Sequence, residues 1–192
     1  YLWNEIFKRS ENIKYINSLG KRSEYIKEPY DKCRLYQPAL FEGRGSDLYL
    51  DGFWQHYSYF NDLQDDLVKQ ISPGYQQEKS VLELNEGIKN MNSVGIHVRR
   101  GDFNRLGWDN NAAYFREGMQ YFRERLENVK FYIVSDDREW VKKEFGTDSR
   151  CVCVELNSVH RDLDEFFVLS SCKHQLLSAS TFGWWAAFLN RN

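Results

Sequence analysis

The chain has no excess of either charge: among its 192 residues, 26 Lys and Arg stand against 28 Asp and Glu, a formal net charge of -2. That balance excludes the broad basic footprint of a nucleic-acid-binding domain, so any anion site has to be local. Cysteine is sparse and poorly spaced for metal. Cys33, Cys151, Cys153 and Cys172 form no C-x-x-C pair, and Cys151-Val152-Cys153 alternates along an expected strand instead of closing on zinc. Reduced structural thiols are the expectation. There is no N-x-S/T sequon, no signal-like apolar opening and no run near the ~18 apolar residues of a membrane span. These absences fit a cytoplasmic protein, with room for peripheral association at the inner face of a bacterial membrane. Internal repeats and low-complexity tracts are missing as well.

Aromatics, by contrast, are plentiful at 16%, and most are expected to pack cores. The length allows one full domain, or one domain and part of a second. The second half alternates strand and helix. Val94 to Val98, Phe131 to Val134, Cys151 to Val154 and His174 to Ser178 are short runs rich in β-branched or aromatic residues, read as strands. Between the first two, Phe115, Met119, Phe122 and Leu126 recur at helical spacing and form one apolar stripe. Asp137 to Phe145, Asp164 to Cys172 and Gly183 to Asn190 read as further helices. The expected fold class is therefore α/β, a Rossmann-like parallel sheet covered on both faces. The first half is less regular: helices are expected at 1–19 and 63–71, with a strand and turn at Leu48 to Gln55. Ser72-Pro73-Gly74 would serve as a linker. The expected division is a partial, mostly helical region over 1–75 and an α/β domain over 76–192.

Open α/β sheets bind ligands beyond the carboxyl ends of their strands. Three expected strand exits collect polar residues: His97 to Asp102, Ser135-Asp136-Asp137, and Ser178 to Thr181. Arg99 and Arg100 present charged forks suited to a diphosphate. A carboxylate of Asp136 or Asp137 can accept from a guanine, and Ser180 and Thr181 precede a helix whose N-terminus favours an anion. Each has a bland alternative. Alternation sends Arg99 and Arg100 to opposite faces, which leaves one open to a structural role. His97 reads equally as a satisfied core histidine, and Asp136, Asp137, Ser180 and Thr181 as helix caps.

The segments His97 to Asp102, Phe131 to Asp137 with Trp140 following, and Ser178-Ala179-Ser180-Thr181-Phe182-Gly183-Trp184-Trp185 resemble the three ordered motifs of the family 11 fucosyltransferases. Tyr49-Leu50-Asp51-Gly52-Phe53-Trp54-Gln55 is similar to that family's Y-L-D-G-Y-W-Q, and Leu169 to His174 to its L-M-S-x-C-K-H. The resemblance implies a GT-B fold of two facing α/β domains. It implies transfer of fucose from GDP-fucose to the 2-hydroxyl of a terminal galactose on a glycan acceptor, with inversion. His97, Arg99, Arg100, Ser135, Asp136, Asp137, Ser180, Thr181 and Phe182 are then the expected donor-binding residues, with Arg99 on the diphosphate and Arg100 supporting it.

Charge-matched donors at the leaving phosphate would do the work of a divalent cation. No D-x-D motif is expected to be available to hold a metal, and Asp136-Asp137 lacks that spacing, so no metal or other cofactor is expected. Asp102 is the first candidate for the base at the acceptor hydroxyl, with Asp109 behind it. The family's Gly-rich opening turn has no counterpart in these residues, and the expectation is a fragment carrying the donor-binding half. The rival readings are a non-catalytic GDP- or glycan-binding module and a fucosyltransferase of another family with the same H-x-R-R strand.

Overall fold

A computed structural model describes residues 24–42 and 47–190. The chain divides into two compact units, and the division falls between Gly74 and Tyr75.

In the first unit, strand β1 (Glu24–Lys27) pairs in parallel with β2 (Leu48–Asp51), and helix α1 (Gln64–Gln70) follows a series of short 3-10 turns. Tyr25 and Tyr49, opposite each other in the register, stack at 5.5 Å. Buried Glu28 accepts the backbone N–H groups of Phe53 at 2.7 Å and Trp54 at 3.1 Å, holding a turn in which Trp54 adopts φ 47°. Among the described residues this unit has one α-helix and two strands, and the helix expected at 1–19 lies outside them.

The second unit opens with α2 (Lys79–Lys89) and then runs β3 (Ser93–Val98), α3 (Gly101–Leu106), α4 (Ala112–Arg123) and β4 (Lys130–Ser135). It continues through α5 (Arg138–Phe145), β5 (Cys151–Cys153), α6 (Arg161–Ser171), β6 (His174–Leu177) and α7 (Thr181–Phe188). All four strands are parallel, in the order β5-β4-β3-β6. Every residue of β3 is buried, as expected of a central parallel strand covered on both sides.

Strand alternation assigns the two faces. Val94, Ile96 and Val98 pack with Phe131 and Ile133 against Phe115 and Met119 of α4 and Val141 and Phe145 of α5. Gly95 and His97 point the other way, toward Cys172 at the end of α6 and Gly183 of α7. The apolar stripe expected between β3 and β4 holds, although the helix ends at Arg123 and Leu126 packs on the core from the turn beyond it. The chain lays down β3, β4 and β5 in one direction and then returns to place β6 on the other side of β3. That reversal makes the carboxyl ends of β3 and β6 a topological switch point, where open α/β sheets take their ligands.

Candidate functional site

The switch point is stitched by Ser178. Its backbone N–H donates to the His97 carbonyl at 3.0 Å, and its Oγ accepts the Arg99 N–H at 3.0 Å. Ser178 opens the third polar strand exit expected from the sequence, although it is not one of the expected donor-binding residues. The available signal was its place as the first polar residue after the β6 apolar run.

Arg99 and Arg100 leave β3 on divergent courses. The Arg99 guanidinium meets Asp102 at 2.8 Å and Asp136 at 3.0 Å, and its side chain is 37% exposed. The Arg100 guanidinium meets Asp109 at 2.8 Å and Asp137 at 3.2 Å and lies 4.2 Å over the Trp140 ring; only 14% of it is exposed. Arg100 is thus a packed cation between protein carboxylates and an aromatic face, while Arg99 keeps surface toward solvent.

The two aspartates after β4 hold this exit in shape. Asp136 accepts the backbone N–H groups of Arg100 at 2.9 Å and Gly101 at 3.1 Å, in addition to the Arg99 guanidinium. Asp137 caps α5 by accepting the Trp140 N–H at 3.1 Å, and its own N–H donates to Ser135 Oγ at 2.9 Å. The capping alternative thus holds for Asp137, while Asp136 satisfies N–H groups at the start of α3.

On the β6 side, the α7 N-terminus comes hard against His97. A Cβ at Gly183 would stand 2.8 Å from His97 Nδ1, so only glycine permits this approach, and the Phe182 ring lies 5.2 Å from the imidazole. His97 is 5% exposed, and its Nδ1 has no hydrogen-bond partner among the described residues. Burial pushes its pKa down to about 4, with Asp136 opposing the shift and Arg99 adding to it, so the ring is neutral near pH 7. Ser180 occupies the N-cap position with extended backbone, but its side chain makes no capping bond, and Thr181 is exposed. The expected hydroxyl cap is therefore not made by Ser180.

Asp102 and Asp109 differ in their surroundings. Both pair with an arginine, but the Asp102 side chain is 46% exposed and the Asp109 side chain 19%. Only Asp102 combines the arginine with ready access to solvent.

The D-x-D spacing does occur, at Asp162-Leu163-Asp164, against the expectation that none is available. It lies in α6, where Asp162 pairs with Arg161. Asp164 is buried under the Tyr75 hydroxyl at 2.7 Å, the Gln77 amide at 2.7 Å and the Ser158 hydroxyl at 2.6 Å. Its carboxylate is committed to fixing those segments. Among the described residues no group of three His, Cys, Asp or Glu side chains is arranged to hold a metal ion. The four cysteines are free thiols, and burial pushes Cys151 up to about 11 and Cys172 up to about 12, which excludes them as thiolate nucleophiles at neutral pH.

A family model described as Glycosyl transferase family 11 matches residues 7–192. The chain is 30% identical over 148 residues to an alpha-1,2-colitosyltransferase of Escherichia coli, covering 72% of this chain and 50% of that protein. It is 29% identical over 156 residues to galactoside alpha-(1,2)-fucosyltransferase 1 of Leontopithecus chrysomelas, covering 74% of this chain and 43% of that protein. The human protein of that name is 28% identical over the same length, with the same coverage of each chain, 74% and 43%. The chain thus spans about half the length of the curated relatives it matches.

Proposed function

The chain belongs to glycosyltransferase family 11, and on that footing we propose that it carries the donor-binding half of a galactoside 2-α-L-fucosyltransferase of GT-B architecture. The donor is GDP-fucose, the acceptor the 2-hydroxyl of a terminal galactose, and the reaction inverts the anomeric carbon without a metal. The observation that carries this reading is the partly exposed Arg99 guanidinium at the exit of β3, whose backbone N–H is tied to Ser178 just after β6.

The residues divide the work. Arg99 takes the diphosphate and stabilises the charge that collects on GDP as the sugar departs. Arg100, locked by Asp109, Asp137 and Trp140, fixes the strand exit from which Arg99 projects. Asp136 holds the backbone of Arg100 and Gly101, and Ser135 and Asp137 fix the start of α5. Neutral His97 and Phe182 form the wall behind Ser180 and Thr181, on the phosphate side.

The Arg99–Asp102 pair is the most exposed of the four arginine–aspartate contacts, and so the one most cheaply exchanged for a phosphate oxygen. Donor binding then releases the Asp102 carboxylate from Arg99. That leaves the carboxylate free to take the proton of the galactose hydroxyl, which links the base to donor occupancy.

No helix among the described residues is long and apolar enough to cross a membrane. The four free thiols support a reducing, cytoplasmic setting.

The test is transfer of labelled fucose from GDP-fucose to lactose in EDTA. Product carrying a 2-linked fucose supports the proposal; activity that requires added Mn²⁺ or Mg²⁺ overturns its metal-free part. Binding of GDP without any transfer selects the non-catalytic module instead. A second reading, colitosyl transfer, is favoured by the relative at 30% identity and is separated by offering both donors in competition.

A further inference from the structure

The turn that follows α3 was not anticipated by any motif, and it places a large aromatic surface beside the arginines. Gly107 takes φ +67°, its N–H donating to the Asn104 carbonyl at 3.2 Å while the Trp108 N–H reaches back to the Phe103 carbonyl at 2.9 Å. This is the Schellman termination, in which a glycine in the left-handed region brings the residue after it against the last turn of the helix. The contact it creates is Phe103 on Trp108, at 5.9 Å and 84°.

A helix-ending contact would by itself account for two apolar rings touching, but it does not bury the indole. Trp108 remains 62% exposed. Its position is fixed from both sides. Phe103 lies 5.9 Å from the Arg99 guanidinium, and Asp109, the next residue after Trp108, grips Arg100 at 2.8 Å. The indole is therefore tied to the arginine pair through Phe103 and its neighbour Asp109.

We propose that Phe103 and Trp108 form the subsite for the 6-methyl edge of the donor sugar, with Trp108 as the residue that selects a 6-deoxyhexose. The assignment rests on the donor reading above. Two rings at a near right angle present a corner, which fits a compact methyl group, whereas a purine needs one open face or two parallel ones. The surroundings are otherwise ionic: Asp102, Asp109, Asp136 and Asp137 all face the arginines, so this corner is an apolar surface beside the leaving group. A hydroxyl placed against the carbon faces of the two rings would give up water contacts there, a loss that a methyl group does not suffer. The sugar attached to a diphosphate on Arg99 is the part of the donor near enough to use the corner.

Calorimetry on the full chain tests this with three probes: GDP, GDP-fucose and GDP-L-galactose, the last differing from GDP-fucose only by a hydroxyl at C6. The wild type is expected to prefer GDP-fucose to GDP-L-galactose. Trp108→Ala is expected to weaken GDP-fucose about tenfold, while GDP and GDP-L-galactose stay within about twofold, so the preference disappears. Trp108→Phe, which keeps an aromatic face, is expected to retain part of it, and a matching thermal midpoint shows that each variant is folded. Unchanged GDP-fucose affinity in Trp108→Ala overturns the proposal. Equal weakening of GDP and GDP-fucose overturns it in favour of a base stack, and a change confined to the acceptor KM overturns it in favour of an acceptor contact. If the wild type binds GDP tightly but shows no preference between the sugars, the subsite fails and the donor reading stands. If it binds neither GDP nor GDP-fucose, both fail.

Discussion

Arg100 Nη1 stands 2.8 Å from Asp109 Oδ2, nine residues along the chain, and this contact separates two adjacent arginines into different roles. It closes the segment from α3 to the start of α4 onto the strand tip and leaves Arg99 as the member of the pair turned to solvent. Removing either arginine should therefore have opposite consequences. Arg100→Ala leaves the Asp109 carboxylate, 19% exposed, without its cation and is expected to cost about 3 kcal/mol of stability, read by urea unfolding. Arg99→Ala should unfold within about 1 kcal/mol of the parent, because its pairs are surface pairs, and lose GDP binding.

Gly183 controls how closely α7 approaches β3. A Cβ there would lie 2.8 Å from His97 Nδ1 and 3.0 Å from its Cγ, inside a buried contact with no flexible end to yield. Gly183→Ala is expected to destabilise the fold by about 1–3 kcal/mol. Thermal unfolding measures that cost, and GDP titration should show weakened binding even where the variant remains folded, because the N-terminus of α7 is displaced from the switch point.

Stability should also carry the signature of a buried neutral imidazole. The folded pKa of His97, about 4, lies below its ordinary 6.5, so between those values the unfolded chain takes up a proton that the folded chain refuses. This contribution is complete above pH 6.5 and is lost as pH falls toward 4, amounting to about 3 kcal/mol across the window. Carboxylates add to the same trend, so the informative quantity is the difference between wild type and His97→Gln in urea unfolding at pH 7 and pH 4.5. The variant is expected to show the shallower loss.

Asp164 is predicted to act in folding rather than in metal binding. Its carboxylate receives three donors, from Tyr75, Gln77 and Ser158. In Asp164→Asn an amide nitrogen faces a donor, and the expected cost is about 2 kcal/mol by thermal unfolding. Added Mg²⁺ or Mn²⁺ is expected to leave the thermal midpoint of the wild type unchanged.

The parallel sheet was legible because its strands carry short apolar runs separated by helical patterns, with β3 buried along its whole length. Other elements carried no such signal. Strand β1, Glu24-Tyr25-Ile26-Lys27, is mostly exposed and bounded by charge, so neither alternation nor burial marks it. Helix α2 puts Asn85 in a buried position and leaves Leu82 exposed, which blurs its apolar stripe. Helix α3 begins on Gly101 directly after the arginines, where glycine argues for a turn.

In the site, the residue types and the shared strand exits could be read from the chain, because strand-end position follows from the βαβ pattern. The pairings could not. That Arg100 is sequestered while Arg99 is open depends on Asp109 and Trp140 arriving from different elements. The aromatic corner depends on one left-handed glycine, Gly107.

The central claim is that Arg99, at the β3–β6 switch point, is the diphosphate ligand of a GDP-sugar site. Calorimetric titration of GDP into wild type and Arg99→Ala, with ADP and UDP as controls, tests it most directly. The account predicts binding of GDP in preference to ADP and UDP by the wild type, and a loss of at least about a hundredfold in the variant, corresponding to about 3 kcal/mol for a charge-assisted pair with phosphate. GDP binding of equal strength in wild type and Arg99→Ala would contradict it.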